Sequence, residues 1–180
     1  MGDIVVLTGP PGAGKTTLAH ALAERRRLAV VLERDNFLGF IRAGRILPWA
    51  SDAMAQTEVV LRAAARAASA YLRQYEVIFA GMTRAEDLRV LREELGSLPY
   101  RLHVVCLLPA REVAVERALG RPRNERLGIS RIQYEKLYDA FCVSPALPGV
   151  TVDSSRLTPE ETLDRLEAVL EKGHAMVEEL

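Results

Sequence analysis

The sequence is poor in several residue types, and each shortage excludes something. It has two cysteines, Cys106 and Cys142, and they form no metal-ligand cluster. A disulfide scaffold and a cysteine-based metal finger are therefore excluded, and both thiols are expected reduced and buried. Formal net charge is absent, with 24 basic residues against 24 acidic ones. A protein that coats a long polyanion is usually basic overall, so general nucleic-acid coating is disfavoured, although a local basic site is not. Lysine is scarce: only Lys15, Lys136 and Lys172 occur, and every other basic residue is arginine. No apolar run approaches the ~18 residues that cross a bilayer. Met1-Gly2-Asp3 puts no basic patch before an apolar stretch, so no signal peptide is read and a cytoplasmic location is expected. Low-complexity stretches, internal repeats and Pro/Gly/Ser-rich linkers are also missing. What remains is ordinary globular usage, 49% hydrophobic and 27% charged. The 180 residues are expected to form one domain, residues 1–180, with its own core.

Short apolar runs alternate with longer helical patterns. Ile4–Leu7, Leu28–Leu32, Val77–Ala80 and Leu102–Leu108 are continuous, and Val150–Val152 is shorter. Uninterrupted runs of this length suit strands covered on both faces. Helical patterns lie at 16–26, 52–74, 85–95, 111–119 and 130–141. The last helix has the clearest start: Thr158 caps it, Pro159 fits the first turn, and Glu161 completes a capping box. Leu163, Leu166, Val169 and Leu170 then form one apolar stripe. The alternation predicts an α/β fold, a parallel five-stranded sheet with helices on both faces.

The strongest chemical signal is Gly9-Pro10-Pro11-Gly12-Ala13-Gly14-Lys15-Thr16, a full match to G-x-x-x-x-G-K-[ST]. It follows a predicted strand and opens a helix beginning near Thr17. Glycines let the loop curl so that backbone N–H groups point at phosphate oxygens, and the helix N-terminus adds partial positive charge. Lys15 is expected to reach the β- and γ-phosphates and the Thr16 hydroxyl to ligate Mg²⁺. The loop thus predicts binding of a nucleoside triphosphate, taken as ATP, without saying what becomes of its γ-phosphate.

Ligands of open parallel sheets sit at the carboxyl ends of the strands. The second run ends Glu33-Arg34-Asp35-Asn36-Phe37. Asp35 is expected on the phosphate-loop rim as general base for an incoming hydroxyl; the alternative is a cap or turn. Glu33 is a weaker candidate that points to the opposite face or pairs with Arg34. The third run ends Ala80-Gly81-Met82-Thr83-Arg84 and lacks the Walker-B acid of a motor or switch ATPase. Thr83 and Arg84 are expected to line the acceptor side, Arg84 either binding an anionic group or sitting solvated at a helix start. Arg117, Arg121, Arg123 and Arg126 cluster around Gly120 and Pro122. They predict a basic lid at about 117–130 that closes over the triphosphate and neutralises the transferred phosphoryl group, with Arg117 also against adenine. Phe37, Phe40 and Trp49 with Arg42 and Arg45 suggest an acceptor region. There the aromatics stack a ring and Arg42 holds an anion, or they pack and solvate in the ordinary way.

The loop from Gly9 to Thr17, Arg34-Asp35, the arginine lid, and Val152-Asp153-Ser154-Ser155 with Pro159-Glu160-Glu161 together resemble the small P-loop kinases. That group includes gluconate kinase, adenylylsulfate kinase, chloramphenicol phosphotransferase, zeta-toxin-like kinases and the kinase domain of polynucleotide 5′-kinase. The resemblance implies a three-layer P-loop NTPase fold, ATP and Mg²⁺ as cofactors, and transfer to an alcohol hydroxyl. It is greatest to the polynucleotide-kinase-like branch, in which an Arg-Asp pair after strand two supplies the base. That branch has an Asp-Thr-Asn-like segment after strand three, where this chain has Gly81-Met82-Thr83. The expected function is ATP-dependent phosphoryl transfer to a small-molecule hydroxyl. The alternatives are a polynucleotide 5′-hydroxyl kinase, which acts on a nucleic-acid end, and a nucleotide-binding switch or accessory ATPase.

Overall fold

Side chains of the first apolar run alternate between two cores. Strand β1 (Gly2–Thr8) sends Ile4 and Val6 to one face and Val5 and Leu7 to the other. Such two-sided burial is what a central parallel strand requires. Four further strands, β2 (Ala29–Glu33), β3 (Glu76–Ala80), β4 (Tyr100–Leu107) and β5 (Val150–Val152), pair with it in one parallel sheet ordered β2-β3-β1-β4-β5. The computed structural model describes residues 2–48, 50, 52–121, 129–144 and 146–177.

The helices of the described residues are α1 (Lys15–Glu24), α2 (Arg34–Gly39), α3 (Met54–Tyr71), α4 (Ala85–Leu95), α5 (Arg111–Leu119), α6 (Arg131–Cys142) and α7 (Pro159–Glu171). One core holds Ile4, Val6, Val77 and Phe79 against Leu61 of α3 and Leu88 and Leu91 of α4. Ala64, Ala65 and Ala68 present almost no side chain there, which lets α3 approach closely. The other core holds Val5, Leu7, Ile78 and Val105 against Leu18 and Leu22 of α1 and Leu163 and Leu166 of α7. Phe79 is fully buried, and cutting it to alanine should cost about 3–5 kcal/mol. Helix α7 starts as the sequence suggests, with Thr158 Oγ1 accepting from the Glu161 N–H and Glu161 Oε2 accepting from the Thr158 N–H.

Three local features matter for the site. The pattern at 52–74 forms a shorter helix, Met54–Tyr71, and Ala53 at its start offers no side-chain cap. Asp35 lies in the first turn of the short helix α2. Arg117 belongs to the last turn of α5, which ends at Leu119 as the pattern at 111–119 suggests. Arg123 and Arg126 lie outside the described residues, as does Trp49. No helix among the described residues is long and apolar enough to cross a membrane.

Candidate active site

The phosphate loop sits where β1 gives way to α1, at the carboxyl edge of the central strand. Gly12 and Gly14 take positive φ, 80° and 95°. Gly12 also lies against the backbone of α5: a Cβ there would meet the Ala114 carbonyl oxygen at 1.9 Å. The loop is therefore pressed between α1 and α5, and only glycine fits that contact. Thr8, just before the loop, is fully buried, with its Oγ1 donating to the Thr83 carbonyl at 2.7 Å and accepting from the Thr83 N–H at 2.9 Å. This pair ties the foot of the loop to the β3–α4 connection.

Lys15 folds back over the loop, its Nζ donating to the Gly9 and Pro10 carbonyls at 2.9 Å each. Burial of the ammonium pushes its pKa down to about 8; the Asp35 carboxylate opposes that shift and Arg121 adds to it. The Asp35 carboxylate and the Lys15 ammonium are thus within electrostatic reach of each other. Asp35 is exposed and makes no hydrogen bond or ion pair among the described residues. Its neighbour Arg34 is 7% exposed, with Nη1 donating to the Met82 carbonyl at 2.8 Å and to Asp87 Oδ2 at 2.9 Å. Gly81 makes room for it, since a Cβ there would lie 2.8 Å from Arg34 Cβ. Arg34 therefore clamps the end of β2 to the start of α4, and Asp35 follows it into the cleft.

Glu33 overturns its sequence reading. It neither turns away nor pairs with Arg34: its Oε2 accepts from Thr16 Oγ1 at 2.7 Å, and its Oε1 lies 3.1 Å from His20 Nε2. Thr16 and His20 sit one turn apart on α1, so both grasp the same carboxylate. A carboxylate thus stands beside the loop hydroxyl although β3 supplies none. Mg²⁺ prefers oxygen donors and is commonly held by one or two protein groups plus substrate phosphates, a donor set that Thr16 and Glu33 fit.

Two cavities bear on the site, and loop residues line the first of them. The first, about 560 Å³, lies between α1, α5 and α7 and is lined by Gly12, Ala13, Gly14, Thr17, Arg117 and Arg121, among others. Arg117 is fixed there by Ser154, its Nη2 donating to the Ser154 carbonyl at 3.0 Å and its Nη1 to Ser154 Oγ at 3.3 Å. Ser154 is held in place by the β5–α7 turn, where Asp153 Oδ1 accepts from the Ser155 N–H at 2.8 Å. Gly9, Pro10, Pro11, Lys15 and Thr16 complete the loop without lining this cavity.

The second cavity, about 530 Å³, opens between α2, α3 and α4. Of the residues expected on the acceptor side, Asp35 and Arg84 line it. Arg84 is also the residue at which α4 starts, its N–H donating to Asp87 Oδ2 at 3.1 Å. Phe37, Arg42 and Thr83 do not line it. Phe37 packs against the core and edge-on to Phe40, with ring centroids 5.5 Å apart. Arg42 is exposed to solvent. Thr83 is fully buried by its bonds to Thr8, and its own hydroxyl finds no partner. Sequence reasoning missed the walls that replace them, Leu38, Met54, Met82 and Val90.

Strand order and phosphate loop are those of the fold of the small P-loop kinases. A family model described as an AAA domain, AAA_33, matches residues 4–140, and the chain belongs to that family. Solved structures are similar over nearly the whole chain. A sugar kinase from Janibacter sp. HTCC2649 shares 24% identity, with 95% of each chain covered and a TM-score of 0.68. The tunicamycin resistance protein of Deinococcus radiodurans shares 19%, covering 99% of this chain and 100% of its own, with a TM-score of 0.66. Shikimate kinase from Acinetobacter baumannii, solved with shikimate, shares 21%, covering 96% and 94%, with a TM-score of 0.61. At these identities the likeness shows the fold.

Proposed function

We propose that this chain is an ATP-dependent kinase that moves the γ-phosphoryl group to a hydroxyl of a small molecule. The observation that carries this reading is Asp35, an exposed carboxylate with no hydrogen bond or ion pair among the described residues, lining one cavity and within electrostatic reach of Lys15. The triphosphate takes the cavity bounded by the loop, Arg117 and Arg121, and the acceptor takes the cavity behind Asp35. The acceptor O–H gives its proton to the Asp35 carboxylate as its oxygen bonds to the γ-phosphorus. The bond from that phosphorus to the β–γ bridging oxygen breaks, and ADP leaves with the electron pair. Lys15, released from the Gly9 and Pro10 carbonyls, stabilises charge on the β- and γ-oxygens, and Arg121 adds to it. Thr16 and Glu33 would hold Mg²⁺, which when bound neutralises charge shared by the two terminal phosphates. Arg123 and Arg126 remain candidates for the same neutralisation from the lid.

The test is ADP release from ATP and Mg²⁺ with a panel of alcohols. Acceptor-dependent release that is lost in Asp35→Asn, with ATP binding kept, supports the proposal. An unaltered rate in that variant removes Asp35 from the role of base. ATP turnover that no acceptor stimulates favours the switch or accessory-ATPase reading. Labelled phosphate on a 5′-hydroxyl oligonucleotide favours the polynucleotide one.

A further inference from the structure

The acceptor cavity carries more information than its place beside Asp35. Its floor and walls are apolar: Leu38 from α2, Met54 and Leu61 from α3, Met82 from the β3–α4 connection and Val90 from α4. Its volume, about 530 Å³, is that of a site for a drug-sized molecule. Its charges run against an anionic ligand. Four carboxylates line it, Asp35, Glu58, Glu86 and Asp87, against two guanidinium groups, Arg34 and Arg84. Arg34 is already engaged by Asp87 and the Met82 carbonyl. Arg84 has Glu86 at 3.8 Å. Glu58 is paired with Arg62, which does not line the cavity. No cluster of cations among the described lining residues could grip a phosphate, sulfate or nucleic-acid backbone, and Arg42 lies elsewhere.

We propose that the acceptor is an alcohol with an apolar body and no anionic group, its hydroxyl presented to Asp35 and its body against Leu38, Met54, Met82 and Val90. This rests on the kinase reading above and narrows it. An apolar body is recognised here by its removal from water, at about fourfold in affinity per methylene buried. An anionic group would instead be brought out of water toward carboxylates, which disfavours it.

The experiment has two arms on the full chain. In the first, benzyl alcohol, phenylethanol and phenylpropanol are compared with glycerol, gluconate and a 5′-hydroxyl oligonucleotide as acceptors, with ADP release as readout. The expected result is kcat/KM rising about three- to fourfold per methylene along the phenyl series, with gluconate and oligonucleotide at background. In the second arm, binding of phenylpropanol is followed by saturation-transfer NMR with no ATP present, for the parent chain and for Met54→Lys. Met54 is 81% exposed, so this substitution leaves the fold intact while placing a cation at the cavity mouth. It should weaken phenylpropanol about tenfold, while KM for ATP, read in the ADP-release assay of the first arm, stays the same. Phenylpropanol binding without transfer to any acceptor overturns the kinase reading and leaves the cavity assignment standing. Transfer to gluconate or oligonucleotide, with the phenyl alcohols inert and unbound, overturns this inference and leaves the kinase reading standing. Failure of both arms overturns both.

Discussion

The two cavities are nearly equal in volume and differ in the balance of their charges. One is lined by Arg25, Arg117 and Arg121 against Glu24 and Glu160, beside the backbone of the loop; the other is edged by four carboxylates against Arg34 and Arg84. A cationic cavity holds a polyphosphate largely through charge, so its occupant is bound whatever its base. An apolar, acid-edged cavity selects by shape and by exclusion. On the function proposed above, the loop side takes the donor and the α3–α4 side takes what receives the phosphoryl group. Asp35, on the second cavity, makes no hydrogen bond or ion pair among the described residues, and the Lys15 ammonium is held by its own loop.

The comparison can be broken at several points. The largest effect is expected from Lys15→Ala, which should reduce transfer by about 10³-fold or more, measured as ADP release at saturating acceptor, with the fold preserved by circular dichroism. Asp35→Asn comes next, with a loss of roughly 10²- to 10⁴-fold in kcat and an unchanged dissociation constant for ATP by calorimetry. Glu33→Gln should raise the Mg²⁺ concentration giving half-maximal rate by about tenfold, while Arg117→Ala should raise KM for ATP by a similar factor and leave KM for the acceptor alone. Equal effects of Arg117→Ala on both substrates would erase the division between the cavities.

The smallest effect sharpens the donor side through pH. Burial holds the free-state pKa of Lys15 near 8, below the ~10.4 of an unfolded lysine. A bound triphosphate favours the charged ammonium and raises that value. Nucleotide binding should therefore take up protons above pH 8, and affinity should fall as pH rises through that range. Calorimetry in two buffers of different ionisation enthalpy reads the uptake directly. The same depressed value means that the unfolded chain binds more protons between about pH 8 and pH 10.5, so Lys15 makes the free protein more stable with rising pH over that window.

Much of this was legible in the sequence, and the reason is local. The phosphate loop, the five strands and the capped start of α7 each depend on residues within a few positions of one another, so pattern reveals them. What was not legible depends on long-range pairing. Arg34 meets Asp87 across 53 positions, and that contact decides which way Asp35 emerges from β2. Glu33 meets Thr16 only because β2 and the start of α1 share the sheet's carboxyl edge, so its role could not be read from Arg34 beside it. Thr83 looked like a site residue at the end of β3, yet its hydrogen bonds to Thr8 bury it. The acceptor walls come from α2, α3 and α4 together, and no spacing in one helix announces a cavity that three of them build.

The most direct measurement is a methyl NMR titration of the chain carrying labelled methionine and leucine methyl groups, first with ADP and then with phenylpropanol. ADP should shift Leu157 and Leu163, which line the cationic cavity, and phenylpropanol should shift Met54 and Met82, which line the apolar one. Two ligands perturbing a single common set of methyl groups would contradict the division of donor and acceptor on which the proposed chemistry depends.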